Sequence, residues 1–320
     1  TTLCVLLLIL MVQSHGISMP SKNQVELDDS VYQYTSSKSI STGALAWEWA
    51  QKVGGSSADD HSNSIAIDAN GDVYVTGSFE QTATFGSTTL SSAGDFDIFV
   101  AKMNSTGHWL WAIQAGGNHD DRGLDLAIDT SGNVFVTGKF QSTVQFGSDS
   151  LTAGPTANDD FFIAKADTWG NWLWVEGADC HNNGRCYGTS VAVDSTGYAY
   201  VTGSFTRDID FGSTTLTWAG VEDIFVAKID TWGSWQWATM AGGAQGSDTP
   251  HSIDIGPQGN AFIAGSFRFT STFGTQSMTA SGSSDVFIAK ISQQGDWLWA
   301  HGAGGSSSSG ANSIRVDSQG

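Results

Sequence analysis

The chain has 320 residues, only 14% of them charged, with 39 Gly, 13 Trp and 4 Pro. That balance excludes a disordered protein or one of long helices and favours β-structure with many tight turns. A net charge of −19, with 13 Lys and Arg spread rather than clustered, excludes nucleic acid and an anionic membrane surface as partners.

In chain order, the first element is an apolar run of ten residues, Leu3 to Val12. A bilayer span needs about 20 residues, so the run is predicted to be the core of a secretory signal peptide. Residues 1–14 are read as that peptide, cut after Ser14 and truncated at its basic start, and residues 15–44 as a polar linker. No transmembrane segment is predicted, and the expected location is secreted or cell-surface. Cys4 would leave with the leader. Cys180 and Cys186 flank the loop CHNNGRC and are expected to form a disulfide. A metal reading of this pair lacks a fourth ligand nearby.

From residue 45 the sequence repeats. Trp-x-Trp recurs at Trp47/Trp49, Trp109/Trp111, Trp172/Trp174, Trp235/Trp237 and Trp297/Trp299, at spacings of 62, 63, 63 and 62. An Asp-x-x-Gly turn follows each pair: Asp68 to Gly71, Asp129 to Gly132, Asp194 to Gly197 and Asp317 to Gly320, with Gly256 replacing the Asp in the fourth copy. A VYVTGSF-like segment, a Phe-Gly pair and D-x-F-[VI]-A-K complete the unit. Each unit predicts four antiparallel strands, as in SIAID, DVYVTGSF, DIFVAKM and WLWAIQA, with a small hairpin turning at Gly86-Ser87. Tandem four-stranded units without helices predict an all-β propeller. The expected layout is a lone outer strand at 45–53, blades at about 64–115, 125–178, 190–241 and 251–303, and the start of a fifth at 304–320. An incomplete ring with two exposed edges is expected. One face of the disc should carry both uniform Gly turns, the other the inter-blade loops and small hairpins.

Residues i and i+2 of a strand share a face, so each Trp pair, from Trp47/Trp49 to Trp297/Trp299, is expected on one side of its blade as packing core. Trp169, Trp218 and Trp232 fall in or near turns, which leaves their exposure open. In D-x-F-[VI]-A-K the Asp and Lys fall on opposite faces, so each is expected to contact a neighbouring strand or blade.

The stretch from Trp47 to Gly320 resembles the SBBP-type β-propeller repeat family. The residues that carry the resemblance are IAID with Gly71, YVTG at Tyr74–Gly77, DIFVAK at Asp97–Lys102, and Gly107 with Trp109. The resemblance implies extracellular or cell-surface proteins of bacteria, archaea and some eukaryotes. It supplies a fold and no catalytic residues. The turns are also similar to the Asp-box of sialidases, but a Ser or Thr two before the Asp is not kept and the activity is not carried over.

Inter-blade loops vary and collect Asp59, Asp60, His61, His119, Asp120, Asp121, Asp179, His181, Asp248 and His251. Variable loops on a regular scaffold are where binding concentrates. These loops are the candidate ligand site, with Ca²⁺ as the candidate ion through their oxygen ligands and a solvated acidic rim as the plain alternative. Asp68-Ala69-Asn70-Gly71-Asp72 departs from a calcium loop in the position of its Gly. No Ser nucleophile elbow or paired-carboxylate spacing marks an enzyme. The expected function is a binding or adhesion module for a cell-surface protein or glycan. The alternatives are a structural surface-coat component and, last, a propeller-fold glycan hydrolase or lyase.

Overall fold

The computed structural model describes residues 49–55, 59–154, 159–182 and 184–319. The expected signal peptide, the linker and Trp47 lie outside these residues.

The described chain is all-β, in four successive blades. The first contains β1 (Asp60–Ile67), β2 (Val73–Phe85), β3 (Thr88–Met103) and β4 (Trp109–Ala115), hydrogen-bonded in that order. The second contains β5 (Arg122–Ile128), β6 (Val134–Phe140), the hairpin β7 (Thr143–Phe146) and β8 (Asp149–Thr152), then β9 (Asp160–Ala166) and β10 (Trp172–Gly177). The short β11 (Asp179–Cys180) forms the exit of the second blade, and the third contains β12 (Cys186–Val193), β13 (Ala199–Phe205), β14 (Ile209–Phe211), β15 (Thr214–Leu216), β16 (Asp223–Ile229) and β17 (Trp235–Gly242). The fourth contains β18 (Thr249–Ile255), β19 (Ala261–Phe267), β20 (Thr270–Phe273), β21 (Gln276–Thr279), β22 (Asp285–Ile291) and β23 (Trp297–Ala303). All strand pairs within the blade sheets are antiparallel, and the blades do not close into a ring.

The middle strands explain the composition. β13 and β16 are buried along their whole length, because each blade is covered on both faces by its neighbours. Such strands cannot alternate polar and apolar residues, hence sequences such as AYVTGSF and DIFVAKI. The core is therefore a series of seams rather than one centre. One seam gathers Tyr74, Ile98 and Val100 of the first blade with Leu126, Val136 and Phe162 of the second. The next gathers Phe135, Phe161 and Ile163 with Val201, Phe205 and Phe225.

Three expectations are corrected. The paired Trp do not share a face. Trp109 is opposite Met103 and Trp111 opposite Lys102, so a bulge separates them, and the same shift occurs at Trp172/Trp174. The extra residue reverses the alternation. Trp172 enters the seam behind its blade and Trp174 the seam ahead. Leu110, the bulged residue, is 51% exposed.

Nor is every paired Trp part of the core. Trp299 was expected to pack between blades like the others, but it lies outside the buried seams. The same bulge, between Lys290 and Ile291 in the opposing register, turns it away from Trp297, which enters the seam between the third and fourth blades. Trp299 is left half-buried, edge-on to Phe262 of its own blade and beside His301. The physical reason is that a second Trp is buried by the blade ahead, and among the described residues no blade sheet follows β23.

The small hairpin, finally, is not confined to the loop face. It starts there and folds back along the outer rim, so that Phe85 and Phe146 meet Trp109 and Trp172 edge-on. Its first strand bonds to the exit of the preceding blade: β20 pairs with β17, β14 with β11, and Gln145 bridges to Gly116. Blades diverge toward the rim, and the hairpin closes that gap.

Candidate functional site

The uniform turns form one face of the propeller. Asp68 accepts the Gly71 amide through its carbonyl at 3.0 Å, while its carboxylate Oδ1 takes the amides of Asn70 and Asp72 at 2.9 and 3.0 Å. Its other oxygen lies 3.6 Å from the Lys102 ammonium, which reaches Asp72 at 3.0 Å. Lys165 with Asp129 and Lys228 with Asp194 repeat the pairing at 3.7 and 3.6 Å. The Lys of D-x-F-[VI]-A-K thus pairs with the Asp of the first turn, a link across two motifs that strand spacing alone does not disclose. Thr168 and Thr231, in the next blades, also accept from Lys102 and Lys165.

On this face two indoles stand out in solvent. Trp169 is 75% and Trp232 77% exposed. They occupy the same position in the third-to-fourth-strand turn of the second and third blades, where the first and fourth blades have Thr106 and Gln294. Each turn is rigid. Asp167 Oδ1 accepts the amides of Trp169 and Asn171 at 2.9 and 2.8 Å, and Asp230 Oδ1 those of Trp232 and Ser234 at 2.9 Å. Burial pushes the Asp167 carboxyl up, but hydrogen bonds from Asn171, Trp169 and Gly170 outweigh it and hold the carboxyl below its ordinary value. Beneath the first turn lies Trp111: a β-carbon on Gly170, whose φ is +84°, would sit 3.0 Å from that ring. Trp174 underlies Gly233 in the same way. Exposed indole, turn and half-buried indole are stacked across a blade seam. Trp218, by contrast, is half-buried with the Arg207 guanidinium 4.5 Å from its ring centroid.

The predicted loop residues sit at the opposite end, distributed over successive seams. Asp59 and His119 are exposed. Asp60 bonds the Gly55 amide at 3.0 Å, and His61 packs on Phe96. Beside them a cavity of about 20 Å³, lined by Val53, Phe79 and Phe99 among others, has room for one water-sized group. Asp120 pairs with Arg122 at 2.7 Å and Lys139 at 3.3 Å. Asp121 and Asp248 turn inward and are fully buried. His181 pairs with Asp210 at 2.8 Å, and His251 meets the Ala311 carbonyl at 2.6 Å. Asp179 pairs through its backbone with Asp210. The carboxylates of Asp60, Asp121 and Asp248 thus have separate partners in separate seams and do not converge. Asp160, Cys180 and Cys186 do converge, with ligand atoms within 4.8 Å of one another, and there the two sulfurs are joined as a disulfide. Among the described residues no helix is long and apolar enough to cross a membrane.

Bladed sheets, positive-φ Gly turns and the first-blade motifs coincide at one stretch. Residues 48–78 match the family model for SBBP, the beta-propeller repeat. The match covers the first Asp-x-x-Gly turn and YVTG, and similar turn, strand and Trp-x-Trp motifs recur along the chain in the register described above. An uncharacterized WD repeat-containing protein of Acanthamoeba polyphaga mimivirus is 23% identical over 82% of this chain and 23% of its own length. The regulatory protein FlaEY of Caulobacter vibrioides is 26% identical over 76% of this chain and 26% of its own length. The chain thus spans about a quarter of these curated relatives. A solved protein of unknown function from Bacteroides caccae is similar at 12% identity and a TM-score of 0.36, covering 80% of this chain and 85% of that one.

Proposed function

We propose that this propeller is a secreted or cell-surface binding module that docks a neutral glycan across the turn face. The observation that carries the reading is the pair of exposed indoles, Trp169 and Trp232, at one turn position of adjacent blades. Exposed Trp is costly in water and is a residue type that anchors binding interfaces. Flat indole faces suit the apolar faces of sugar rings, and Asn171, Ser234 and Gln236 beside them offer amide and hydroxyl partners for sugar hydroxyls. The net charge of −19 disfavours an anionic polymer. Asp59 and His119, exposed at the loop end, are a secondary contact region.

A glycan-array screen followed by Trp169→Ala and Trp232→Ala tests the reading. Both positions are exposed, so each variant should fold with stability within roughly 0.5 kcal/mol of the parent. Loss of binding in both supports the site. Retained binding, or silence of the parent across the array, counts against it.

A further inference from the structure

The turn between the third and fourth strands reads Asp-Thr-Trp-Gly in the second and third blades, from Asp167 and Asp230, and Ser-Gln-Gln-Gly in the fourth, from Ser292. In the first blade it reads Asn104-Ser105-Thr106-Gly107. Asn stands where the second and third blades have Asp, and Thr where they have an exposed Trp. Either difference alone leaves an ordinary turn. Together they make Asn-x-Thr with x other than Pro, the triplet that accepts N-linked sugar. It is the one stretch of the sequence with Asn first, no Pro second and Ser or Thr third.

The fold keeps the turn and frees the amide. Asn104 Oδ1 accepts the Thr106 amide at 3.1 Å, the His108 amide at 2.9 Å and the Thr106 hydroxyl at 2.8 Å. Asp167 and Asp230 cap their turns through Oδ1 in the same way. Three donors meeting at one atom fix it as the oxygen, so the other atom is the amide nitrogen. At that second atom the blades differ. Asp167 Oδ2 accepts from the Asn171 side chain at 2.8 Å, and Asp230 Oδ2 from that of Gln236 at 3.2 Å. Asn104 has a donor there instead. Among the described residues Nδ2 has no hydrogen-bond partner, and it is not sealed from solvent. Ser105, Thr106 and His108 around it are exposed. Trp49 closes the underside of the turn, with Nε1 on the Ser105 carbonyl at 3.1 Å and its ring 2.9 Å from where a β-carbon on Gly107 would sit.

We propose that Asn104 is the acceptor of an N-linked oligosaccharide. The proposal rests on the secreted reading above, because the transferase and its lipid-borne donor meet a chain as it crosses a membrane. In the transfer, Asn104 Nδ2 bonds the anomeric carbon of a sugar carried on a lipid pyrophosphate. The bond from that carbon to the pyrophosphate oxygen breaks, and the lipid pyrophosphate leaves with the electron pair. Nδ2 gives up one of its two protons. The substituted nitrogen retains one hydrogen and Oδ1 retains its three donors, so the turn survives the change. The Thr106 hydroxyl, the group read at the third place of the triplet, is already turned onto the Asn104 side chain, with His108 Nδ1 2.9 Å from it.

A cap alone does not account for the pair of differences. Asp caps the same turn in two other blades, and in neither does the third-place side chain take part in the cap. The sugar would stand at the turn position of Trp169 and Trp232, one blade before Trp169, and so bound the docking face on that side.

The test expresses the full chain in yeast behind a host secretory leader, which delivers it whatever its own first residues do. Trypsin releases residues 103–122 as one peptide, and mass spectrometry of protein from medium and cells together reads its mass. The peptide should carry an oligosaccharide. Peptide N-glycosidase should remove it and leave Asp at that position, which makes the released parent identical to the Asn104→Asp variant. Asn104→Asp and Thr106→Ala should lack the sugar, and Thr106→Ser should keep it. Asn104→Asp should be secreted and melt with the released parent, as the Asp caps of the other blades imply. The proposal is overturned if the parent peptide is unmodified, or if the added mass persists in Asn104→Asp. It is overturned as well if the glycosylated parent aggregates in the cells while Asn104→Asp is secreted, because the folded turn then has no room for the sugar. Recovery of the protein from the medium of its source cells tests the secreted reading separately.

Discussion

The indole of Trp111 donates from Nε1 to the carbonyl of Thr168, 3.0 Å away and one blade further on. Trp49 with Ser105, Trp174 with Thr231 and Trp237 with Gln293 repeat the bond at 3.1, 3.0 and 2.9 Å. The second Trp of each of these motifs is thus a directed peg into the next blade as well as apolar filling. Trp111→Phe keeps a ring against Tyr74 but loses the donor, which should cost roughly 1 kcal/mol. Trp111→Ala also removes the packing and should approach the low end of about 3–5 kcal/mol, because the site is half-buried. Urea titrations of the three proteins would show this order, and equal midpoints would refute it.

Asp125 links three blades. Its Oδ1 accepts the Ser64 hydroxyl, and its Oδ2 accepts the Ser190 hydroxyl at 2.7 Å and the Val191 amide at 2.9 Å. Ser190 Oγ in turn accepts the Ile253 amide of the fourth blade at 3.2 Å. Asp125→Ala should destabilise by roughly 2–3 kcal/mol, since hydrogen bonds to a charged group are among the stronger ones. Hydrogen exchange should rise along β1, β5 and β12 together. A rise confined to β5 would mean that the inner strands are not coupled through this residue.

The Cys180–Cys186 disulfide stands where other junctions use a Gly amide and an Asp carboxylate, as in Gly55 with Asp60 at 3.0 Å. By strand pairing, Cys180 corresponds to Gly117 and Gly243, and Cys186 to Asp121 and Asp248. Replacing both Cys by Ser should cost roughly 2 kcal/mol. Cys180→Gly with Cys186→Asp should recover part of that loss by restoring the arrangement of the neighbouring seams. Thermal melts of both double variants decide this. Equal melting temperatures would show the two junction types not to be interchangeable.

Gly170→Ala should destabilise by at least about 1 kcal/mol, since a non-Gly residue at positive φ is strained. The new methyl would also press on the Trp111 ring at 3.0 Å. Because Trp169 neighbours this turn, the same variant should weaken any ligand bound through Trp169 more than one bound elsewhere. Titration followed by tryptophan fluorescence would measure it, and unchanged affinity would separate the turn from the binding face.

The sequence by itself determined the repeat and, from it, the blade. Asp-x-x-Gly turns, β-branched and aromatic strands and a fixed Trp-x-Trp register are local features, legible because each depends on a few neighbouring residues. The Cys pair was legible for the same reason. Only the tertiary structure decided which way the side chains turn. The Trp pair splits between two seams because Leu110 and Leu173 are bulged, and a bulge depends on how the partner strand is read. Trp299 has the same motif as Trp111 and Trp174, yet it stays outside the core seams for want of a following blade sheet among the described residues. Asp121 and Asp248 looked like a solvated rim in the sequence, yet each is fully buried and accepts a backbone amide, from Gln141 and Arg268 respectively. Trp169 and Trp232 carried no mark of exposure beyond their turn position, whereas Trp218 is covered by Arg207. In a propeller, burial is conferred by the adjacent blade, about 62 residues away in the chain, so alternation within one strand cannot report it.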